Sequence, residues 1–145
     1  MFERIVAAID SDPERSSKVV EATRELARAR GSKVLLAHVR EVERPASLLA
    51  KAGALPPALH LNDNVDPRHL VDEAVTALRA DGIDVSGKVG KHGSASAAEL
   101  LDLADGYGAD LIIVGDLGST VSDMLQGGVA HRIVHLADCP VLVVR

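Results

Sequence analysis

The chain has 145 residues, 47% hydrophobic and 26% charged, with a formal net charge of −5 and a sequence pI near 5.6. This suits one globular domain, while the acidic balance and the near absence of aromatic residues (Phe2 and Tyr107, no Trp) exclude the basic stripe and stacking platforms of a nucleic-acid binder. The lone Cys139 excludes an internal disulfide, no apolar run approaches the ~20 residues that span a bilayer, and no signal-peptide core follows Met1, so a cytoplasmic, membrane-free protein is expected.

Ile5-Val6-Ala7-Ala8-Ile9 is an unalternating apolar run that ends at Asp10, which reads as a first strand buried on both faces. Asp12 with Pro13 at the first helical position, or Ser11 in a capping box with Glu14, starts a helix. That helix turns Val19, Thr23, Leu26 and Arg30 inward, widened by Val20 and Ala27, and stops at Gly31. Lys33 to Val39 is a second strand. Residues 40–65 are irregular, with one apolar island at Leu48-Leu49-Ala50 that suggests a short helix, and loops of that length are usually functional or mobile. Asp66-Pro67 restarts a helix carrying Leu70, Val71, Ala74, Val75 and Leu78 to Asp81-Gly82.

Ile83 to Val89 forms a third strand, placed at a sheet edge because Ser86 and Gly87 interrupt it. Gly93 to Ser96 turns into a helix with Ala97, Leu100, Leu101 and Ala104, ended by Gly106 and Gly108. Leu111 to Val114 is a fourth buried strand, followed by the glycine turn Gly115-Asp116-Leu117-Gly118. A helix with Leu125, Val129, Ile133 and Leu136 inward comes next, then Cys139-Pro140 and a fifth strand, Val141 to Val144. Alternation of this kind predicts one α/β domain over 1–145 with a doubly wound, five-stranded parallel sheet of order 3-2-1-4-5. Ligands of such sheets sit where strand order reverses, here between Ala8-Ile9-Asp10 and Val114 to Gly118.

The sequence resembles the universal stress protein family over essentially its whole length. The markers are Arg4 to Asp10, Leu35-Leu36-Ala37-His38-Val39, Gly108 to Gly115, and Cys139 to Arg145. The resemblance implies a Rossmann-like, adenine nucleotide alpha hydrolase-like fold. It also implies a homodimer paired through Val141, Leu142, Val143 and Val144, whose bare apolar edge invites a counterpart. One branch of the family binds ATP through Gly, two residues, Gly, nine residues, Gly, then Ser or Thr. Gly115 and Gly118 match. Nine residues on from Gly118 lies Gly128, followed by Val129. Aligning on the tail Arg132 to Pro140 instead makes Gly127 the motif glycine, with Gly128 in the hydroxyl place. Neither alignment supplies the hydroxyl, and Ser119 or Thr120 is the candidate substitute.

By the same resemblance, Ile9, Asp10 and Val39 hold adenine and ribose, with Asp10 accepting from the sugar, while Ala8 and Val114 line the nucleotide crevice. Backbone N–H groups of Gly115, Gly118, Gly127, Gly128 and Val129 hold phosphates, as a glycine turn feeding a helix N-terminus would. The ligand implied is ATP or AMP. No Lys or Arg lies between Gly115 and Val129, but Asp116 and Asp123 do. A carboxylate ~4 Å from a phosphate costs up to about 4 kcal/mol at an effective dielectric near 20. That opposes several backbone hydrogen bonds of about 1 kcal/mol each. A Mg²⁺ ion bridging Asp116 to phosphate would reverse the sign, and AMP would suffer less than ATP.

Other residues read more plainly. His131 and His135 lie four apart with no third ligand in view, and fall on a solvent-facing side of their helix. Cys139 is expected as a buried small side chain and His38 as a structural hydrogen-bonder. No catalytic triad, carboxylate pair or Gly-Lys-Ser/Thr loop is present. The expected function is therefore a stress-response sensor or binding module and not an enzyme, with a slow ATPase the outlying reading and an interaction protein that binds no nucleotide the alternative.

Overall fold

The computed structural model describes residues 1–40, 65–90, 93–116 and 128–145. Along them run β1 (Arg4–Ile9), α1 (Pro13–Arg30), β2 (Lys33–His38), α2 (Pro67–Ala80), β3 (Asp84–Lys88), α3 (Ala97–Tyr107), β4 (Leu111–Gly115), α4 (Val129–Leu136) and β5 (Val141–Val144). All pairings are parallel, in the order β3-β2-β1-β4-β5. This is the doubly wound sheet expected from the alternation of elements. The Leu48–Ala50 island, most of the irregular 40–65 stretch, Leu125, Gly118, Ser119, Thr120 and Gly127 lie outside the described residues. Among the described residues no helix is long and apolar enough to cross a membrane.

The lack of alternation in β1 has a direct cause. Ile5, Ala7 and Ile9 face α1 and share one core cluster with its Val19 and Ala27 and with Val71, Val75 and Leu78 of α2, which lies over β2 and β3. Val6 and Ala8 pack against Leu100 and Ala104 of α3 and Ile133 of α4 on the other. Both sides of the strand are therefore core, and every residue from Ile5 to Ile9 is at most 2% exposed.

Local signals set the helix ends. Asp12, not Ser11, is the N-cap of α1: its carboxylate accepts from the Arg15 N–H at 2.9 Å, and Pro13 takes the first turn. The inward stripe of α1 is Val19, Thr23 and Ala27, with the Thr23 hydroxyl donating to the Val19 carbonyl at 2.7 Å. Arg30, expected on that stripe, is exposed and donates to the Met1 carbonyl. It is the last residue of α1, next to the Gly31 cap, where the side chain remains in water. On α3 the capping box is Ser96 with Glu99, and the stop is Gly108 in the left-handed region, with Gly106 inside the helix. On α4 only Ile133 is buried, and Leu136, expected inward, is 61% exposed. Val129 and Ala130 pack against the same cluster while only partly buried, and the last turn with Leu136 lies outside it.

Two further features position the central strands. Asp110 accepts from the Glu3 and Arg4 N–H groups, each at 2.9 Å, and so ties the start of β4 to the start of β1. Burial alone would raise its carboxyl pKa, but these backbone donors, with its own N–H and the N-terminal charge, together hold it below the ordinary value. At the far edge, Gly87 of β3 pairs with Leu36, and a Cβ built on it would stand 2.6 Å from Val71 Cγ1 and 3.2 Å from Val75 Cγ2. The residue that weakens β3 as a strand signal is thus the one that lets α2 approach the sheet.

Candidate functional site

β1 and β4 are neighbours, with Ala8 opposite Val114, so Asp10 and Gly115 emerge at the same, carboxyl-terminal end of the sheet. That is the reversal point of the strand order, since β2 departs from β1 one way and β5 from β4 the other. Ala8, Ile9, Val39 and Val114 are 2–3% exposed, their side chains committed to the two core layers. Val39 also donates its N–H to the Ile9 carbonyl at 2.8 Å and bridges to Ala95. What these four residues offer a ligand is main chain at the rim, not side chain.

Asp10 is the polar centre of the site and is 4% exposed. Its Oδ1 accepts from the Asp12 N–H at 2.7 Å and its Oδ2 from Arg15 Nε at 2.8 Å. Ser16 closes the turn by donating Oγ–H to the Asp10 carbonyl at 2.8 Å and accepting the Asp10 N–H at 3.1 Å. Asp10 therefore organises the start of α1 without being its N-cap.

Arg15 has no signature in the sequence, and chain order alone could not have paired it with Gly115, one hundred residues later. A Cβ on Gly115 would lie 3.0 Å from Arg15 Cγ and 3.3 Å from its Cδ. Gly115 is the last residue of β4 and does not adopt a positive φ. Close approach of the arginine stem, rather than turn conformation, is what its missing side chain accommodates. Asp116 follows, its N–H donated to the Val144 carbonyl at 2.8 Å and its Oδ2 3.3 Å from Arg145 Nε. Gly115 is thus approached by Arg15 and Asp116 is paired with Arg145, two arginines supplied from elsewhere in the chain. Asp12, Glu14, Arg15, Lys18, Asp116 and Arg145 border a shallow depression of about 310 Å³ beside this strand end.

Gly128 is the N-cap of α4 and provides no side-chain cap for the N–H groups of the first turn, which begins at Val129. α4 runs back along the sheet from the end where β4 stops, so this helix start faces the same side as Gly115. Among the described residues no group of three or more His, Cys, Asp or Glu side chains could hold a metal. His131 and His135 are exposed, their rings edge to face at 4.3 Å. Cys139 is half-buried, not fully buried; burial foremost, with the nearby Asp110 and Asp138 charges, pushes its thiol pKa up, away from nucleophilic character.

His38 ends β2 beside Ile9 and is 2% exposed. Its Nδ1 lies 2.8 Å from Ser94 Oγ and its Nε2 3.2 Å from Ser11 Oγ. Each hydroxyl can donate or accept, so either tautomer is satisfied, as expected of a structural histidine. Burial lowers its pKa below 6.5, and the Asp10 charge partly opposes this. Between the lowered folded pKa and the unfolded value, the unfolded chain binds more protons, so stability rises with pH there. The His38 contribution is complete above pH ~6.5 and is lost as pH falls through the folded pKa. Urea unfolding of the native chain and a His38→Gln variant should show their difference shifting against the native chain below pH ~6.5. A pH-independent difference would show that His38 is not held neutral.

Known proteins place this arrangement. The model of the universal stress protein family matches residues 1–145. Universal stress protein YxiE of Bacillus subtilis is 28% identical, with full coverage of both chains. Universal stress protein A homolog 2 of Coxiella burnetii is 30% identical over 99% of this chain and 95% of its own. Among solved structures, the universal stress protein from Archaeoglobus fulgidus in complex with dAMP superposes with a TM-score of 0.66 at 22% identity, covering both chains fully. A universal stress protein in complex with cAMP superposes with a TM-score of 0.68 at 23% identity, over 99% of this chain and 97% of its own. Fold, strand order and end-to-end family match agree: the chain belongs to the universal stress protein family.

Proposed function

We propose that this protein is a single-domain, cytoplasmic binding module that takes an adenine nucleotide between the ends of β1 and β4 and performs no turnover of its own. The observation that carries the reading is the meeting of Asp10 and Gly115 at one end of two adjacent central strands. The uncapped start of α4 at Gly128 adds N–H groups suited to a phosphate. The dAMP and cAMP complexes of two structural neighbours support a ligand of the monophosphate class. The missing hydroxyl of the phosphate motif and the carboxylate of Asp116 favour AMP over ATP unless Mg²⁺ accompanies the triphosphate. Calorimetry is expected to give AMP binding at least as tight as ATP without Mg²⁺, and an ATP affinity that rises when Mg²⁺ is added. No heat from either nucleotide at millimolar concentration would overturn the reading. It would leave the alternative, a protein-interaction module, which the occupation of both Asp10 oxygens by Asp12 and Arg15 favours.

The same reading includes a homodimer. β5 ends the sheet with Leu142 38% exposed and Val141, Val143 and Val144 half-buried, an edge able to pair with its own copy. Light scattering at micromolar concentration is expected to give twice the chain mass, and Leu142→Lys to shift it toward the monomer. A native monomer under those conditions rejects the dimer.

A further inference from the structure

We propose that Ser11, His38 and Ser94 form a reactive-serine relay, in which Ser11 attacks small activated acyl donors, His38 is its base and Ser94 positions the ring. The product is a chain acylated on Ser11, formed once per molecule, so the binding module stays without turnover. The inference does not depend on the nucleotide crevice.

The three residues come from separate parts of the fold: Ser11 precedes α1, His38 ends β2 and Ser94 lies in the bend before α3. The buried His38 ring places Nε2 3.2 Å from Ser11 Oγ and Nδ1 2.8 Å from Ser94 Oγ. Ser94 is itself buried, and its backbone is held because the adjoining Ala95 N–H donates to the His38 carbonyl at 2.7 Å. Ser11 is only partly buried, so its oxygen is the member of the relay that an outside molecule reaches. Capping of α1 falls to Asp12, and Ser16 closes the turn at Asp10. The Ser11 hydroxyl serves neither the helix nor the turn, and its bond is to the histidine.

A serine hydroxyl bonded to a neutral imidazole, itself oriented through its second nitrogen, is the arrangement that activates a serine nucleophile. With the ring proton on Nδ1 and donated to Ser94, Nε2 accepts the Ser11 O–H. As Ser11 Oγ bonds to the acyl carbon, its proton passes to Nε2. The carbonyl then re-forms, the bond from carbon to the leaving group breaks, and the proton departs from His38 with that group. In between, the imidazolium keeps Ser94 as an acceptor, and the Asp10 charge favours it against burial. The other charged groups on adjoining segments are Arg15 of α1, paired with Asp10, Lys88 at the end of β3, and Arg40 just beyond β2. The Asp12 and Arg15 N–H groups at the start of α1 are already donated, to Asp10 and Asp12. They do not meet the developing oxyanion, so acylation is slow and stops at the ester. The carboxylates of Asp10 and Asp12 on either side of Ser11 select a donor uncharged at its reacting end, an ester or thioester rather than an acyl phosphate.

The test is p-nitrophenyl acetate with the native chain, Ser11→Ala, His38→Gln and Ser94→Ala, acetylation being located and timed by peptide mass mapping. Ser11 is expected to be acetylated ahead of the other serines, at a rate that rises with pH through the His38 titration and levels off near neutrality. His38→Gln should slow it about 100-fold, the lower end of general-base catalysis. Ser94→Ala should slow it less and move the pH midpoint downward, because the imidazolium loses an acceptor. Ser11→Ala should remove the adduct from that peptide. A rate that keeps climbing with hydroxide concentration past neutrality, or a Ser11 no faster than the other serines of the native chain, overturns the proposal. Both are read on the native chain, so the proposal stays falsifiable if His38→Gln does not fold. Acetylation of Ser11 at the native rate in folded His38→Gln overturns it equally, and the crevice reading stands in each case.

Discussion

Asp10→Ala is expected to lower the unfolding free energy by about 2–4 kcal/mol. Breaking a buried ion pair by removing one partner typically costs about 3–5 kcal/mol, because the other charge is stranded. Here that figure is discounted, since Arg15 is 23% exposed and its guanidinium can turn toward water. The Asp12 N–H also loses its acceptor, worth about 1 kcal/mol at this partly buried turn. For a domain of this length, about 2–4 °C in Tm accompanies each kcal/mol, so a fall of roughly 5–15 °C should be seen. Asp10→Asn keeps an oxygen for the Asp12 N–H and removes only the charge, so it should cost about half as much. If urea unfolding put the alanine variant within about 0.5 kcal/mol of the native chain, neither the Arg15 pair nor the Asp12 N–H bond would contribute, and the turn would be held by the Ser16 bonds to the Asp10 main chain.

Gly87→Ala is expected to destabilise by about 1–3 kcal/mol, although it adds a single methyl group to a strand near the sheet edge. The methyl would enter at 2.6 Å from Val71 Cγ1, well inside contact distance, and Val71 is a 1% exposed core residue. The strand cannot shift away, because its register with β2 runs from Asp84 to Lys88. Val71→Ala alone should also cost stability by leaving a cavity. Combined with Gly87→Ala, it should cost less than the sum, since the new methyl fills the vacated volume. A double-mutant cycle that proves additive would show that α2 simply moves outward.

These two variants also mark how far the order of residues reached. The strand and helix pattern was open to reading because burial on both faces writes unbroken apolar runs, as in Ile5 to Ile9 and Leu111 to Val114. Caps wrote themselves as clearly: Asp12-Pro13, Asp66-Pro67 and Ser96 with Glu99 each start a helix as their chemistry requires. Leu136 and Arg30 were misplaced because periodicity states which residues share a helix face, but not where that face runs out of sheet to cover. Gly115 was legible as a special position and its reason was not. A glycine in a motif suggests a turn, whereas here it leaves room for Arg15, a partner from another element. His38 was expected to make structural hydrogen bonds, and the serines that provide them, Ser11 and Ser94, come from segments 27 and 56 residues away.

By itself, then, the sequence determined the family, the doubly wound sheet and the pair of strand ends that meet at Asp10 and Gly115, because hydrophobic burial and helix capping are local in the chain. Only the tertiary structure decided that Asp10 is already engaged by Arg15, that Asp116 is answered by Arg145, and that Gly87 and Gly115 are small for the sake of neighbours. Contacts of that kind join residues that folding alone brings together, and charge and volume act over a few ångströms of space irrespective of distance along the chain.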